Sequence, residues 1–315
     1  MVLETIYVVR HGFRSNWIVD HETGEYLASI PGPTGIPSDP ALASYGVHQA
    51  KQLGEKIVSL DPPVDIVYSS PFYRCLQTLK PGVEKLFGEG RAGEKIRVEN
   101  GLGEFYGLAR FDHPSPAPLS ELHTHFPDML HDEYEAVLVP SVNGESIPEL
   151  HDRVAYVLDR IITQLDNDPR GPKTLLISTH AATMICIGRV LTGRMPEDIS
   201  EEDFLCYTCS LSKYERKNKQ AIESDVEQWD SRQPNKIPKT GWVGKGIKGG
   251  WNCTLNGDCS FLAGGEERGW RFSGDEDFLS NPNAFNDAAN AANSRSGIVE
   301  GESAEEGEKS KTSRL

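Results

Sequence analysis

The chain has 315 residues, of which 37% are hydrophobic and 25% charged, with a formal net charge of −15. These proportions are ordinary for a globular chain, and the length admits one large α/β domain with extra segments or two small domains. The acidic balance argues against broad, sequence-independent binding to nucleic acid, which runs on excess Lys and Arg, but it leaves room for a local basic pocket. No stretch approaches the roughly 18 apolar residues of a spanning helix, and no secretory or lipidation signal is recognisable, so a cytoplasmic or nuclear location, or both, is expected. The six cysteines then read as reduced thiols.

In chain order, residues 3–9 (LETIYVV) are short, β-branched and apolar, the pattern of a buried strand. Residues 13–41 are rich in Gly and Pro without periodicity and read as a long ordered loop. Leu42, Val47, Ala50, Leu53, Ile57 and Leu60 recur at helical spacing, and Pro62-Pro63 ends that helix. Val64–Tyr68 is a strand, Phe72–Phe87 a helix interrupted near Pro81, and Ile96–Val98 a short strand. Residues 105–150, rich in Pro and His, read as a lid or insertion. Leu150–Leu165 is helical, Thr174–Ser178 a buried strand, Ala181 the start of a helix, and Phe204–Tyr214 a further strand. This alternation implies an α/β fold: three layers, an open and mostly parallel sheet with helices on both faces. Residues 216–250 are polar and read as a loop or linker. Residues 251–279 recover aromatic content and read as an extension packing back on the domain. Residues 280–315 are too polar to offset their ordering entropy and are expected to be disordered.

Three of these strands end in chemistry-bearing residues. Arg10-His11-Gly12 follows the first, Ser69-Ser70-Pro71-Phe72-Tyr73-Arg74 the second, and Thr179-His180-Ala181 the strand TLLIS. In open α/β sheets the loops at the carboxyl ends of strands hold the ligand. One such placement is a charged turn by chance; three deliver His, Arg and His to one sheet edge. Arg10 can clamp phosphate in bidentate fashion, and Gly12 lets the backbone approach a bound group closely.

The text VVRHG at 8–12, ALASYGVHQAKQLG at 41–54, SSPFYRCLQT at 69–78, NGES at 143–146 and LISTHAA at 176–182 resembles the histidine phosphatase, or phosphoglycerate mutase-like, superfamily. The match keeps family order and covers about residues 1–215. The resemblance implies that His11 accepts phosphate, that Arg10, Arg74 and His180 form the phosphate pocket, and that no metal or organic cofactor is needed. An acidic residue after the corresponding strand donates a proton in the family; Glu104 is the preferred candidate and Glu99 its competitor. Arg14 stands where mutases carry a small hydroxyl residue, which favours a phosphatase over a glycolytic mutase. Arg14, with Ser15 or Asn16, is a candidate additional phosphate contact. RHGFRSNW, TCSLSKYE at 208–215 and TLNGDCSFLAGGEERGWRF at 254–272 further resemble a fungal branch that includes the phosphatase-like subunit of the RNA polymerase III factor tau. That resemblance implies a second role, as a protein-binding subunit of a transcription assembly; the acidic balance and the lack of a spanning segment lead to no expectation of direct nucleic acid or membrane contact.

Two other signals are set aside. Gly88-Glu89-Gly90-Arg91-Ala92-Gly93 matches the dinucleotide fingerprint, but it follows a helix and precedes a strand, the reverse of the required order. Cys206-x-x-Cys209 with Cys253 and Cys259 suggests zinc, but the first pair falls on an expected strand, where residues three apart face opposite sides.

Overall fold

The computed structural model describes residues 2–88, 95–274 and 276–279. The tail expected to be disordered lies outside these residues, as does most of the Gly88–Gly93 fingerprint.

The elements are β1 (Thr5–Arg10), β2 (Trp17–Val19), β3 (Tyr26–Ala28), α1 (Ser44–Val58), β4 (Ile66–Ser69), α2 (Tyr73–Gly88), β5 (Arg97–Val98), α3 (Leu119–His125), α4 (Ile147–Asp166), β6 (Thr174–Thr179), α5 (Ala181–Thr192), β7 (Leu211–Arg216) and β8 (Trp251–Asp258). Six strands form one sheet in the order β5-β4-β6-β1-β7-β8. The first four run parallel, whereas β7 is antiparallel to both β1 and β8.

Alternation along the strands divides the core. Tyr7, Val9, Val67 and Leu176 face α1 and α2 with Leu53, Ile57, Leu76, Leu79 and Val83. Their neighbours Ile6, Val8, Ile66, Leu175 and Ile177 face α4 and α5 with Val154, Leu158, Ile161, Ile185 and Val190. Period-2 strands buried on both sides give a three-layer α/β fold. No helix among the described residues is long and apolar enough to cross a membrane.

The fold departs from expectation in several places. Residues 13–41 hold the hairpin β2–β3, whose Trp17, Val19 and Tyr26 bury against Phe72, Tyr106 and Phe278. Its strands of three residues are too short to show a period. Helix α2 runs through Pro81 without a break. Proline removes one helical bond there, but α1 packs at the same point so closely that a Cβ on Gly54 would sit 2.9 Å from the Gly82 amide. Helix α4 starts at Ile147, behind a capping box between Ser146 and Glu149. Residues 204–210 are not strand; Cys206 and Cys209 sit in an irregular loop, with Cys209 at φ 57°. The backbone there bonds Arg10, His11 and Glu267 instead of extending a ladder.

The polar segment 216–250 is anchored against the core by Trp242 and Ile247. Lys248 adds a buried ion pair with Asp159 at 3.0 Å. Beyond it, β8 completes the edge of the main sheet, so residues 251–258 belong to the same core as β1.

Candidate active site

The carboxyl ends of β1, β4, β5 and β6 open on one side of the sheet, and each delivers a polar residue. His11 leaves β1 with its amide donating to the Thr179 carbonyl at 3.0 Å, while its own carbonyl accepts from the Cys209 amide at 3.3 Å. Its Nδ1 lies 2.8 Å from the Gly12 carbonyl. A carbonyl only accepts, so the proton resides on Nδ1 and Nε2 carries a free lone pair. Burial, then the Arg74 charge, the adjacent His180, and the charges of Arg10 and Arg14, hold this imidazole well below its ordinary pKa. His11 is thus a neutral base whose free Nε2 lone pair lies among the arginine charges. Gly12 is required by close packing: a Cβ there would sit 3.0 Å from the Gly46 carbonyl and 3.1 Å from Cys209 Sγ.

Arg74 is fully buried in the first turn of α2. Its Nη1 donates to the Ser38 carbonyl at 3.0 Å and Asp39 Oδ1 at 3.1 Å, and its Nη2 donates to Glu104 Oε2 at 2.8 Å. Asp39 Oδ2 also accepts the Tyr73 amide at 2.8 Å, so one carboxylate fixes both the helix start and the guanidinium. Arg10 donates through Nη1 to the Cys206 and Arg268 carbonyls at 2.7 and 2.5 Å. The Nε of Arg10 and of Arg74 is buried with no hydrogen-bond partner, an N–H in each that a phosphate oxygen would satisfy. Arg14 donates to the Ser15 carbonyl at 3.0 Å and lies over the Trp17 ring. Burial and the neighbouring Arg74 pull its pKa down to about 9, so it stays charged at neutral pH. The contacts of Ser15 and Asn16 here run through their carbonyls, the latter accepting from Ser29.

His180 caps the N-terminus of α5. Burial pulls its pKa to about 4, against a raising influence from Glu104. The neutral ring donates from Nδ1 to Glu104 Oε2 at 3.1 Å and accepts at Nε2 from the Ser70 hydroxyl at 2.7 Å. Its centroid lies 5.3 Å from that of His11. Burial pushes the Glu104 carboxyl up, but His180, Arg74 and His11 outweigh it and hold it well below the carboxylate range. Glu104 is therefore ionised in the resting site.

Glu99 points elsewhere. Its carboxylate accepts from the Tyr134 hydroxyl at 2.6 Å and from the Gly101 and Val137 amides at 2.8 Å. It organises residues 101–138 and shares no contact with His11.

Sequence reasoning did not single out three supporting groups. Asp39 anchors Arg74, and Ser70 holds the His180 ring at Nε2. Buried Arg153 binds Glu145 at 2.9 Å and the Gly101 carbonyl at 2.9 Å, holding the turn that presents Glu104. The Ser-Ser pair closing β4 was the one visible signal; the other two depend on contacts between distant segments.

His11, Glu104 and His180 also bring potential metal-ligand atoms within 4.8 Å of one another. Arg74 bonds to Glu104, and Arg10 and Arg14 add charge beside it. Coulomb repulsion makes this a site for an anion, not a cation.

Residues 6–228 match the sequence profile of the histidine phosphatase superfamily, branch 1. The chain belongs to the histidine phosphatase superfamily. Within it, the 55 kDa subunit of transcription factor tau from Saccharomyces cerevisiae is 35% identical over 278 residues, covering 86% of this chain and 59% of that protein. An ecdysteroid-phosphate phosphatase from Drosophila melanogaster is 28% identical over 235 residues, 67% of this chain and 30% of that one. The chain thus spans less than two thirds of the length of either relative. Among solved structures, the ecdysone phosphate phosphatase of Bombix mori with tungstate shares the fold at a TM-score of 0.52 and 18% identity, over 73% of this chain and 98% of that one.

Proposed function

We propose that this histidine phosphatase-superfamily chain hydrolyses phosphomonoesters through a phosphohistidine at His11. The observation that carries this reading is the His11 tautomer: Nδ1 is tied to the Gly12 carbonyl, so Nε2 faces the Arg10, Arg14 and Arg74 charges as a free lone pair.

In the first step Nε2 forms a bond to phosphorus as the ester P–O bond breaks. The transition state is loose and anionic, so positioned arginines do most of the catalytic work. The leaving oxygen takes a proton from Glu104. That carboxyl is ionised at rest, but an entering phosphate monoanion adds negative charge beside it, which raises its proton affinity, and supplies the proton that it takes up. Once Glu104 is protonated, the His180 Nδ1–H is released to the phosphoryl oxygens. In the second step water attacks phosphorus, Glu104 takes the water proton, and the N–P bond breaks to give inorganic phosphate. Ser15 and Asn16 belong to the rim beside Arg14 and are assigned a secondary contact.

The direct assay is hydrolysis of an aryl phosphate across pH 5–8 by the wild-type chain and by His11→Ala. Turnover confined to the wild type supports the reading. Equal turnover in both proteins contradicts it.

A second reading rests on the similarity to the tau subunit, which runs over 86% of this chain. It makes the chain a protein-binding, nuclear subunit of a transcription assembly, with or without chemistry. Its test is native purification: recovery in a large complex that persists in His11→Ala supports it, and a monomer throughout opposes it.

A further inference from the structure

A second cavity adjoins the charged pocket. It holds about 260 Å³ and has Glu104 and Gly103 in its lining. Its walls carry Phe72, Tyr106, Ala117, Leu122 and Tyr134, and the Pro114-Ser115-Pro116-Ala117-Pro118 run forms one rigid side. Phe72 is the partition between the two spaces: its ring packs edge-on against His180 at 5.1 Å and lies under the Arg74 guanidinium at 4.6 Å.

Much of the polar lining is already engaged. His113 Nε2 donates to the Gly107 carbonyl, its Nδ1 accepts from the Tyr26 hydroxyl, and the Tyr134 hydroxyl donates to Glu99. The Tyr106 hydroxyl is buried with no hydrogen-bond partner, and Asn100, Ser115 and Ser141 complete the polar side chains of the lining. At the mouth, Val139 and Val142 stand 49% and 44% exposed. Two exposed valines on an apolar cavity leave surface that a bound apolar group would remove from water.

We propose that this cavity receives the leaving group, so that the ester hydrolysed here carries a bulky apolar alcohol or phenol in place of a sugar or polyol. The inference rests on the phosphatase reading and adds a substrate class to it. With phosphate held at Arg74 and its bridging oxygen at Glu104, the substituent on that oxygen lies beyond Phe72, inside the cavity. A rigid proline wall selects shape, while a lining dominated by Pro, Ala, Leu, Val and aromatic side chains disfavours hydroxyl-rich groups, most of whose hydroxyls would be desolvated without a partner.

The test compares 2-cyclohexylethyl phosphate with ethyl phosphate, whose leaving alkoxides have nearly equal basicity. The ring should raise kcat/KM by at least about 30-fold, the gain expected from burying several methylene groups. Ala117→Phe, which fills the cavity, and Val142→Asp, which places charge at its exposed mouth, should each cut that ratio below about 3-fold. Dissociation constants of both esters for His11→Ala give the same ratio without turnover. A 30-fold binding ratio from a wild type that hydrolyses neither ester would keep the pocket and remove the phosphatase reading. Equal constants together with equal kcat/KM would overturn the pocket and leave the phosphatase reading standing. Glycerol 1-phosphate preferred over the cyclohexyl ester would overturn the apolar assignment.

Discussion

The charged floor around His11 and the proline-rich wall of residues 113–142 border one another across Phe72, yet they are built on opposite principles. The floor comes from strand ends, and its side chains are fixed by backbone and ion-pair contacts: Arg74 alone binds Ser38, Asp39 and Glu104. The wall comes from a segment without strands, stiffened by prolines and by His113, which stacks on Tyr106 at 4.8 Å. A fixed floor suits chemistry common to every phosphate ester, while an inserted wall suits selection among the groups attached to it.

Floor substitutions should therefore lower activity on all substrates, and wall substitutions should change only their ranking. The largest effect is expected for His11→Ala, which removes the nucleophile and should lower kcat at least about a thousandfold on every ester. Retained turnover on any one of them would break the division.

Glu104→Gln should come next. It should slow alkyl phosphates by about 10²–10⁴ and activated aryl phosphates far less, since a good leaving group needs little help from an acid. Equal losses on both would assign Glu104 to structure alone.

Asp39→Ala leaves Arg74 buried without one of its two carboxylate partners, at an expected cost of about 3–5 kcal/mol in chemical denaturation. A loss below about 1 kcal/mol would show that Glu104 alone suffices to hold the guanidinium.

The smallest effect concerns pH and touches both regions. Burial lowers His113 in the wall and His180 in the floor from 6.5 to about 4. Between those values the unfolded chain binds protons that the folded chain does not. Stability should accordingly fall as pH drops from 6.5 towards 4, by up to about 1.4 kcal/mol per pH unit for each histidine. Replacing His113 by Gln should flatten that slope; an unchanged slope would mean that the histidine is solvated.

Much of the floor was legible because its information is local. A β-branched run followed by Arg10-His11, by Ser70 to Arg74, or by His180 states both the strand and what it delivers. The α/β sheet followed from the same alternation except for β8, whose residues read only as an extension packing on the domain. What stayed hidden depends on distant pairs. Asp39 is an acidic residue in a Pro-rich loop until α2 folds beneath it, and Arg153 looks like an ordinary helical charge until it meets Glu145 and the 101–104 turn. The segment 216–250 reads as linker because Trp242 and Ile247 are isolated in polar sequence, although both are buried against the core. The wall shows little period, so its cavity exists only in three dimensions.

The central claim is a covalent bond between phosphorus and His11 Nε2. Rapid acid-free quenching of Glu104→Gln mixed with an aryl phosphate, followed by peptide mass spectrometry, reads it directly, because weakened acid–base assistance to the attacking water should let the intermediate accumulate. The mechanism predicts one phosphoryl group on His11, base-stable and acid-labile, and none in the His11→Ala, Glu104→Gln double variant. Turnover with no phosphorylated His11, or a phosphoryl group on any other residue, would contradict it.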